Sequence, residues 1–296
     1  MYVLLVLSVL LMTLNTALTK VFQKTTKSDV KSLAMYNLVN ALFACCFFYI
    51  SAGFRITVNP ETAVYALIYA AIICVNLSAQ VFAMTRVTVS LVTLMTVAGG
   101  VLIPAIFGIL YYGESLTMRL VISAVLIIAA TVLPFLVQKQ SLRISTVSVL
   151  VCAILFVLSG ASVILMQLYA RDPRVCDSQS FFLLTNGIIV FLCFGVLGII
   201  LRKESGCGFK RIQALWGIFT GRQVLNIGVK TALANICSVL QVLILRQMDA
   251  STYAVLNSSL SLIGATALSA ICFREKQDKA SGVAVVLAIA ALIVNP

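Results

Sequence analysis

Apolar residues in this chain come in ten long runs separated by short polar breaks: 2–19, 32–53, 62–85, 87–112, 116–137, 145–169, 178–201, 225–246, 251–273 and 279–295. A helix rising about 1.5 Å per residue needs about 20 apolar residues to cross a hydrocarbon layer about 30 Å thick. The pattern therefore predicts ten transmembrane helices. The first run lacks a basic leading region and a clear A-x-A cleavage site, so it is read as helix 1 rather than as a removable leader. Between runs 7 and 8, "FKRIQALWGIF" (209–219) alternates basic and apolar residues at helical spacing and holds the single tryptophan, Trp216. It predicts a short helix lying at the membrane interface, with an irregular loop as the alternative.

Composition agrees with the pattern. Of the 296 residues, 61% are hydrophobic and 10% charged, against about 45–50% and about 25% in soluble domains. A water-soluble fold cannot hide that much apolar surface, so the chain reads as an all-α integral membrane protein. The net charge of +12 raises nucleic acid as a partner, but the basic residues flank the apolar runs, and the bilayer accounts for them better. Sixteen of the 21 Lys and Arg lie at the odd-numbered connections and five at the even-numbered ones. The positive-inside rule then places the odd connections in the cytoplasm and both termini outside; the expected setting of this multi-pass protein is a bacterial plasma membrane. The nine cysteines are scattered through apolar runs without a C-x-x-C pair and read as small packing residues. The chain has no histidine, which excludes His-ligated metals and His-based triads, and neither metal nor cofactor is expected.

The chain also matches itself. At an offset of 161 residues Gln80 falls on Gln241, Ser90 on Ser251, Glu114 on Glu275 and Leu126 on Leu287. Upstream, at offsets near 144–149, Ala17 meets Ala161, Gln23 meets Gln167 and Asn37 meets Asn186. Two halves follow, 1–140 and 141–296, each with five helices. Five is odd, so the second half enters the membrane from the opposite side and the repeat is inverted. Such repeats are a recurring plan of secondary transporters, with the solute site near the midplane between the halves. The glutamates of the repeat, Glu114 and Glu275, sit just past helices 4 and 9 and read as capped turns at the next helix start.

Ten helices in two five-helix halves, "AGGVLIP" (98–104) in helix 4 and "YGESLT" (112–117) at its end resemble the drug/metabolite transporter superfamily, in its EamA-like branch. The resemblance covers the whole chain and implies transport of small metabolites, amino acids or drugs, or of nucleotide sugars in some relatives. The small four-helix exporters of that superfamily use a glutamate in helix 1 to exchange protons for cationic drugs. Helix 1 here carries Asn15 instead, which argues against that chemistry. Nucleotide-sugar carriers have a lysine near an asparagine in helix 9, and this helix 9 has none.

No Asp or Glu lies deep in any predicted span, while neutral polar residues are frequent. Asn15, Asn76, Gln80, Thr96, Ser159, Gln241, Asn257 and Ser258 are the candidate solute-binding residues. Gln80 pairs with Gln241 and Thr96 with Asn257 across the repeat, and "NSSLS" (257–261) is unusually polar for bilayer depth. The plainer account of each is interhelical hydrogen bonding. Lys230, five residues into run 8, either snorkels to the cytoplasmic face or turns inward as an anchor for a substrate carboxylate or phosphate. Gly99, Gly100 and Pro104 mark a hinge, or a plain kink, in helix 4. Ala280, Ala284 and Ala288 form a small-residue packing face on helix 10.

These readings favour a secondary transporter, not an enzyme, moving a small polar solute such as an amino acid-like metabolite by alternating access. Its partners are that solute and the lipid bilayer, and it works as a monomer or homodimer. The alternatives are a nucleotide-sugar or phosphorylated-metabolite exchanger and, from another class, a membrane scaffold or channel subunit.

Overall fold

A computed structural model of the chain describes residues 2–25, 30–84, 89–113, 117–137, 146–175, 177–202, 219–272 and 279–294. Among these the fold is all-helical, with ten helices: α1 (Tyr2–Thr25), α2 (Val30–Ser51), α3 (Pro60–Met84), α4 (Val89–Tyr112), α5 (Met118–Val137), α6 (Thr146–Arg171), α7 (Ser178–Arg202), α8 (Gly221–Leu245), α9 (Ala250–Cys272) and α10 (Lys279–Val294). Each matches one apolar run. Five of them, α2, α4, α6, α7 and α8, are long and apolar enough along their described residues to cross a membrane. Large apolar side chains such as Leu67, Phe191 and Val286 stand exposed in mid-helix. That surface is stable against hydrocarbon and unstable against water. The chain is thus a helical membrane protein. The stretch 209–218, Glu114 and Glu275 lie outside the described residues.

Local chemistry sets the helix ends. Pro60 opens α3 at a position where a missing N–H costs nothing, with Glu61 in the first turn. Gly113, at φ +66°, follows the last residue of α4 in the left-handed region that glycine enters freely. The α2 terminus turns through Gly53 and Phe54, both at φ 62°. Thr220 caps α8: its N–H donates to Gln223 Oε1 at 2.8 Å while its carbonyl accepts from Gln223 and Val224. Helix α8 therefore begins four residues earlier than the apolar run suggests, because the cap tolerates polar residues in the first turn.

The chain divides into two compact units. The first comprises residues 1–13, 71–172 and 240–296, and so includes α4, α5, α6, α9 and α10. Its tightest seam joins α4 to α6. A Cβ at Gly99 would strike the backbone carbonyl of Phe156, and one at Gly160 would strike Ile103. Ser159 Oγ donates across this seam to the Thr96 carbonyl at 2.7 Å. The helices run parallel, since Gly99 meets Phe156 near the middle of each and Tyr112 meets Arg171 at their ends, the guanidinium 4.2 Å above the ring. Arg171 also donates to the Met248 carbonyl at 3.1 Å and lies 3.8 Å from Asp249. One side chain thus gathers the ends of α4 and α6 and the α8–α9 connection. A second core, Val101, Leu120, Ile127, Val255 and Ala291, joins α4, α5, α9 and α10. Ala284 and Ala288 are buried on α10, so that part of the small-residue face is a packing surface within the chain.

The second unit comprises residues 14–70 and 173–239, with α2, α7 and most of α8. Helices α2 and α7 pack antiparallel. Phe48 stacks on Phe182 at 5.1 Å, and the residues after α2 meet those before α7. There Thr57 Oγ1 donates to Asp177 Oδ1 at 2.8 Å, Ser180 donates to the same carboxylate through its N–H and hydroxyl, and Asn59 Nδ2 donates to the Arg174 carbonyl. Partial burial pushes the Asp177 carboxyl up, but the bonds from Thr57 and Ser180 outweigh it and hold it below its ordinary value.

A carboxyl with a depressed folded pKa contributes stability above its unfolded value, about 4, and loses it as pH falls through the folded value. Asp177→Ala is therefore expected to lower the melting temperature at pH 7 by the equivalent of about 1 kcal/mol, the typical worth of an N-cap. The gap should close near pH 3. A gap unchanged between the two pH values, measured by thermal denaturation in detergent, would show that the carboxylate does not hold this corner.

Candidate solute-binding site

Helices of this length satisfy their own backbone, so any polar chemistry at depth must come from side chains. In the first unit, Thr96 and Ser159 are brought together directly, by the bond from the Ser159 hydroxyl to the Thr96 carbonyl. The close approach at Gly99 and Gly160 makes that bond reachable. Asn76, Gln241, Asn257 and Ser258 are half-buried on α3, α8 and α9. Next to Ser258, Ser259 is wholly buried and spends its hydroxyl on the Val255 carbonyl of its own helix at 2.9 Å. The side chain of Gln80 lies outside the described residues. Pro104 is buried and α4 stays helical through it, with Gly100 3.5 Å, as a virtual Cβ, from Ser159 Oγ.

One residue of this unit was not among the candidates. Gln167, on α6, is fully buried at 0% exposure, and neither its Oε1 nor its Nε2 has a hydrogen-bond partner among the described residues. Its sequence signal was present: a glutamine inside an apolar run and the repeat mate of Gln23.

In the second unit the polar groups gather on α8 and its neighbours. Thr231 Oγ1 donates to Asn40 Oδ1 on α2 at 2.7 Å and to the Ile227 carbonyl at 2.7 Å. Lys230 Nζ lies 4.6 Å from the centroid of the Tyr36 ring on α2. Asn226, one turn before Lys230, has a buried Oδ1 without a partner among the described residues, and Asn235 has a buried Nδ2 in the same condition. Asn15 is buried on α1. Tyr36, Asn226 and Thr231 escaped the sequence reading, and Asn235, a polar residue inside run 8, was not among the candidates. Asn226 fell at the edge of the apolar run, and α8 in fact begins at Gly221. By contrast, the groove lined by Cys45, Tyr49, Leu183, Gly187 and Phe191, about 840 Å³ in volume, is apolar and offers nothing to a polar solute.

The described residues contain no cluster of three or more metal-ligating side chains. What the arrangement can do is bind: amides, hydroxyls and one ammonium at membrane depth form hydrogen bonds and balance charge. No protein-family model matches the chain, and no curated protein matches it. Twenty-eight chains of solved structures do match. One, described only as "Crystal structure of protein", has a TM-score of 0.69 over 99% of this chain and 94% of its own length, at 15% identity. At that identity the likeness is one of fold.

Proposed function

We propose that the chain is a secondary transporter that carries a small polar metabolite across the membrane by alternating access. The observation that carries the reading is the set of polar atoms inside apolar helices, on Gln167, Asn226 and Asn235, whose hydrogen-bonding capacity is unmet among the described residues. Each such group costs on the order of 1–3 kcal/mol in a helix bundle that serves packing alone. A solute with hydroxyls, amides or charges offsets that cost when it binds. The proposal takes all ten helices as membrane-crossing and the halves 1–140 and 141–296 as inverted repeats of the EamA-like kind. Helices α2 and α7 hold the same place in their halves, and their antiparallel packing is what inversion requires. In this scheme the odd connections are cytoplasmic, and Gly99, Gly100 and Pro104 supply flexibility in α4.

The test is uptake by proteoliposomes containing the full chain, against protein-free vesicles, with a panel of neutral, anionic and cationic metabolites and accelerated exchange when the vesicles are preloaded. Saturable uptake and counterflow of at least one solute are expected. Absence of both across the panel, with protein verified as folded by its thermal transition, sinks the transporter reading. Impermeant thiol labelling from outside the cell, at cysteines introduced for Lys24 and Lys139, would reverse the orientation.

A further inference from the structure

Helix α8 places Lys230 nine residues after Gly221. At 1.5 Å per residue that is about 14 Å into a helix about 37 Å long, whose first turn, Gly221–Gln223, is polar, so a side chain laid along the helix would approach its near end. Its ammonium instead turns to α2 and lies 4.6 Å from the centroid of the Tyr36 ring. The ring face compensates part of a partly desolvated positive charge and leaves the charge itself unneutralised. Helices α1, α2 and α8 carry no Asp or Glu. Of the unit's described carboxylates, Glu61 belongs to the first turn of α3, and Asp177 is taken by Thr57 and Ser180. No described carboxylate pairs with Lys230.

Lys230 is half-buried, and within a membrane-spanning helix a charge without a described counter-ion is costly and marks a solute path. The surroundings suit an anion that also carries a hydroxyl, because the ammonium attracts the charge and the unmet atom beside it is an acceptor that calls for a donor. Asn226 shares the Lys230 face of α8 at i−4, and its buried Oδ1 has no partner among the described residues. The neighbouring Thr231–Asn40 bond fixes α8 against α2 at this level, and Phe43 lies against Gly228 one turn away, 3.4 Å from a virtual Cβ. The crossing thus holds the ammonium in place while an unmet amide oxygen stands one turn along.

We propose that Lys230, with Asn226 beside it, is the anchor of a site for a small organic hydroxy anion, taken through its carboxylate or phosphate, with Asn226 Oδ1 accepting from a hydroxyl of the same molecule. This inference rests on the transporter reading and narrows its substrate class. Binding and flux test the two separately. The full chain, purified in detergent, is melted with malate, glycerol 3-phosphate, glucose or choline, and the same solutes are offered to proteoliposomes.

One or both anions should raise the melting temperature of the wild type while glucose and choline leave it unchanged. Lys230→Met should remove that shift, and Lys230→Arg should retain it. Flux of the responding anion should fall at least tenfold in Lys230→Met. The difference between malate and glycerol 3-phosphate reports which acid the site takes. Loss of a half-buried charge without a described counter-ion should leave the ligand-free Lys230→Met protein at least as heat-resistant as wild type, so a missing shift is not a folding defect. If neither anion shifts the wild type, or the shift survives in Lys230→Met, the anion site is overturned. Glucose flux undiminished in Lys230→Met overturns it too, yet leaves transport standing. Anion binding that depends on Lys230 without flux of any solute leaves the site standing and overturns transport.

Discussion

Gly99→Ala should destabilise the protein, and Gly99→Leu should destabilise it by more, although glycine is the poorest helix former after proline. In an exposed helical position, replacing Gly by Ala gains about 1 kcal/mol. At Gly99 the sign reverses because the new Cβ would meet the Phe156 carbonyl, with the Phe156 carbonyl carbon and Cα at 2.8 and 2.9 Å. Those are backbone atoms of a neighbouring helix, so no rotamer change relieves the collision and α4 must move off α6. Overpacking of this kind costs about 1–3 kcal/mol. The movement also stretches the 2.7 Å bond from Ser159 to Thr96, adding about 1 kcal/mol. Gly195→Ala, where a Cβ meets nothing within 4 Å, is the control and should leave stability unchanged or slightly raised. Melting of the three variants in one detergent decides the matter. A Gly99→Ala protein as stable as Gly195→Ala would mean that α4 and α6 do not approach this closely.

The same seam explains what could be read from the chain alone and what could not. Hydropathy found every helix among the described residues, because the transfer cost of polar residues into hydrocarbon is paid residue by residue and needs no knowledge of neighbours. Gly113 marked the end of α4 for a similarly local reason, its left-handed φ. The start of α8 was missed because hydropathy drops over Gly221–Gln223, while the signal that sets the boundary is the reciprocal cap between Thr220 and Gln223. The candidate site was harder. A serine that bonds its own helix, as Ser259 does to Val255, looks the same in sequence as one that crosses to another helix, as Ser159 does to Thr96. Which of the two occurs depends on how closely helices approach, and that depends on Gly99 and Gly160, far apart in the chain. Lys230 illustrates the point most sharply. Five residues into a run it reads as a snorkelling lysine; nine residues into a capped helix, over the Tyr36 ring, it is a charge held at depth.

Gln167→Leu separates stability from function more cleanly than any other substitution in the chain. The side chain is fully buried and neither amide atom has a partner among the described residues. Leucine fills a similar volume with no polar atom to satisfy, so the variant should be more stable than wild type by about 1–3 kcal/mol, the usual cost of a buried unsatisfied group. A residue kept in spite of that cost is retained for something other than packing. In a transporter the same substitution should reduce solute flux at least tenfold, since the amide is a group that the solute or the moving helices require. A protein that becomes more stable and transports normally would leave Gln167 with no role in transport and remove one of the three groups on which the proposed function stands. One that becomes less stable would mean that the amide is satisfied in the membrane, and the argument from unmet hydrogen bonds would fall on Asn226 and Asn235 alone.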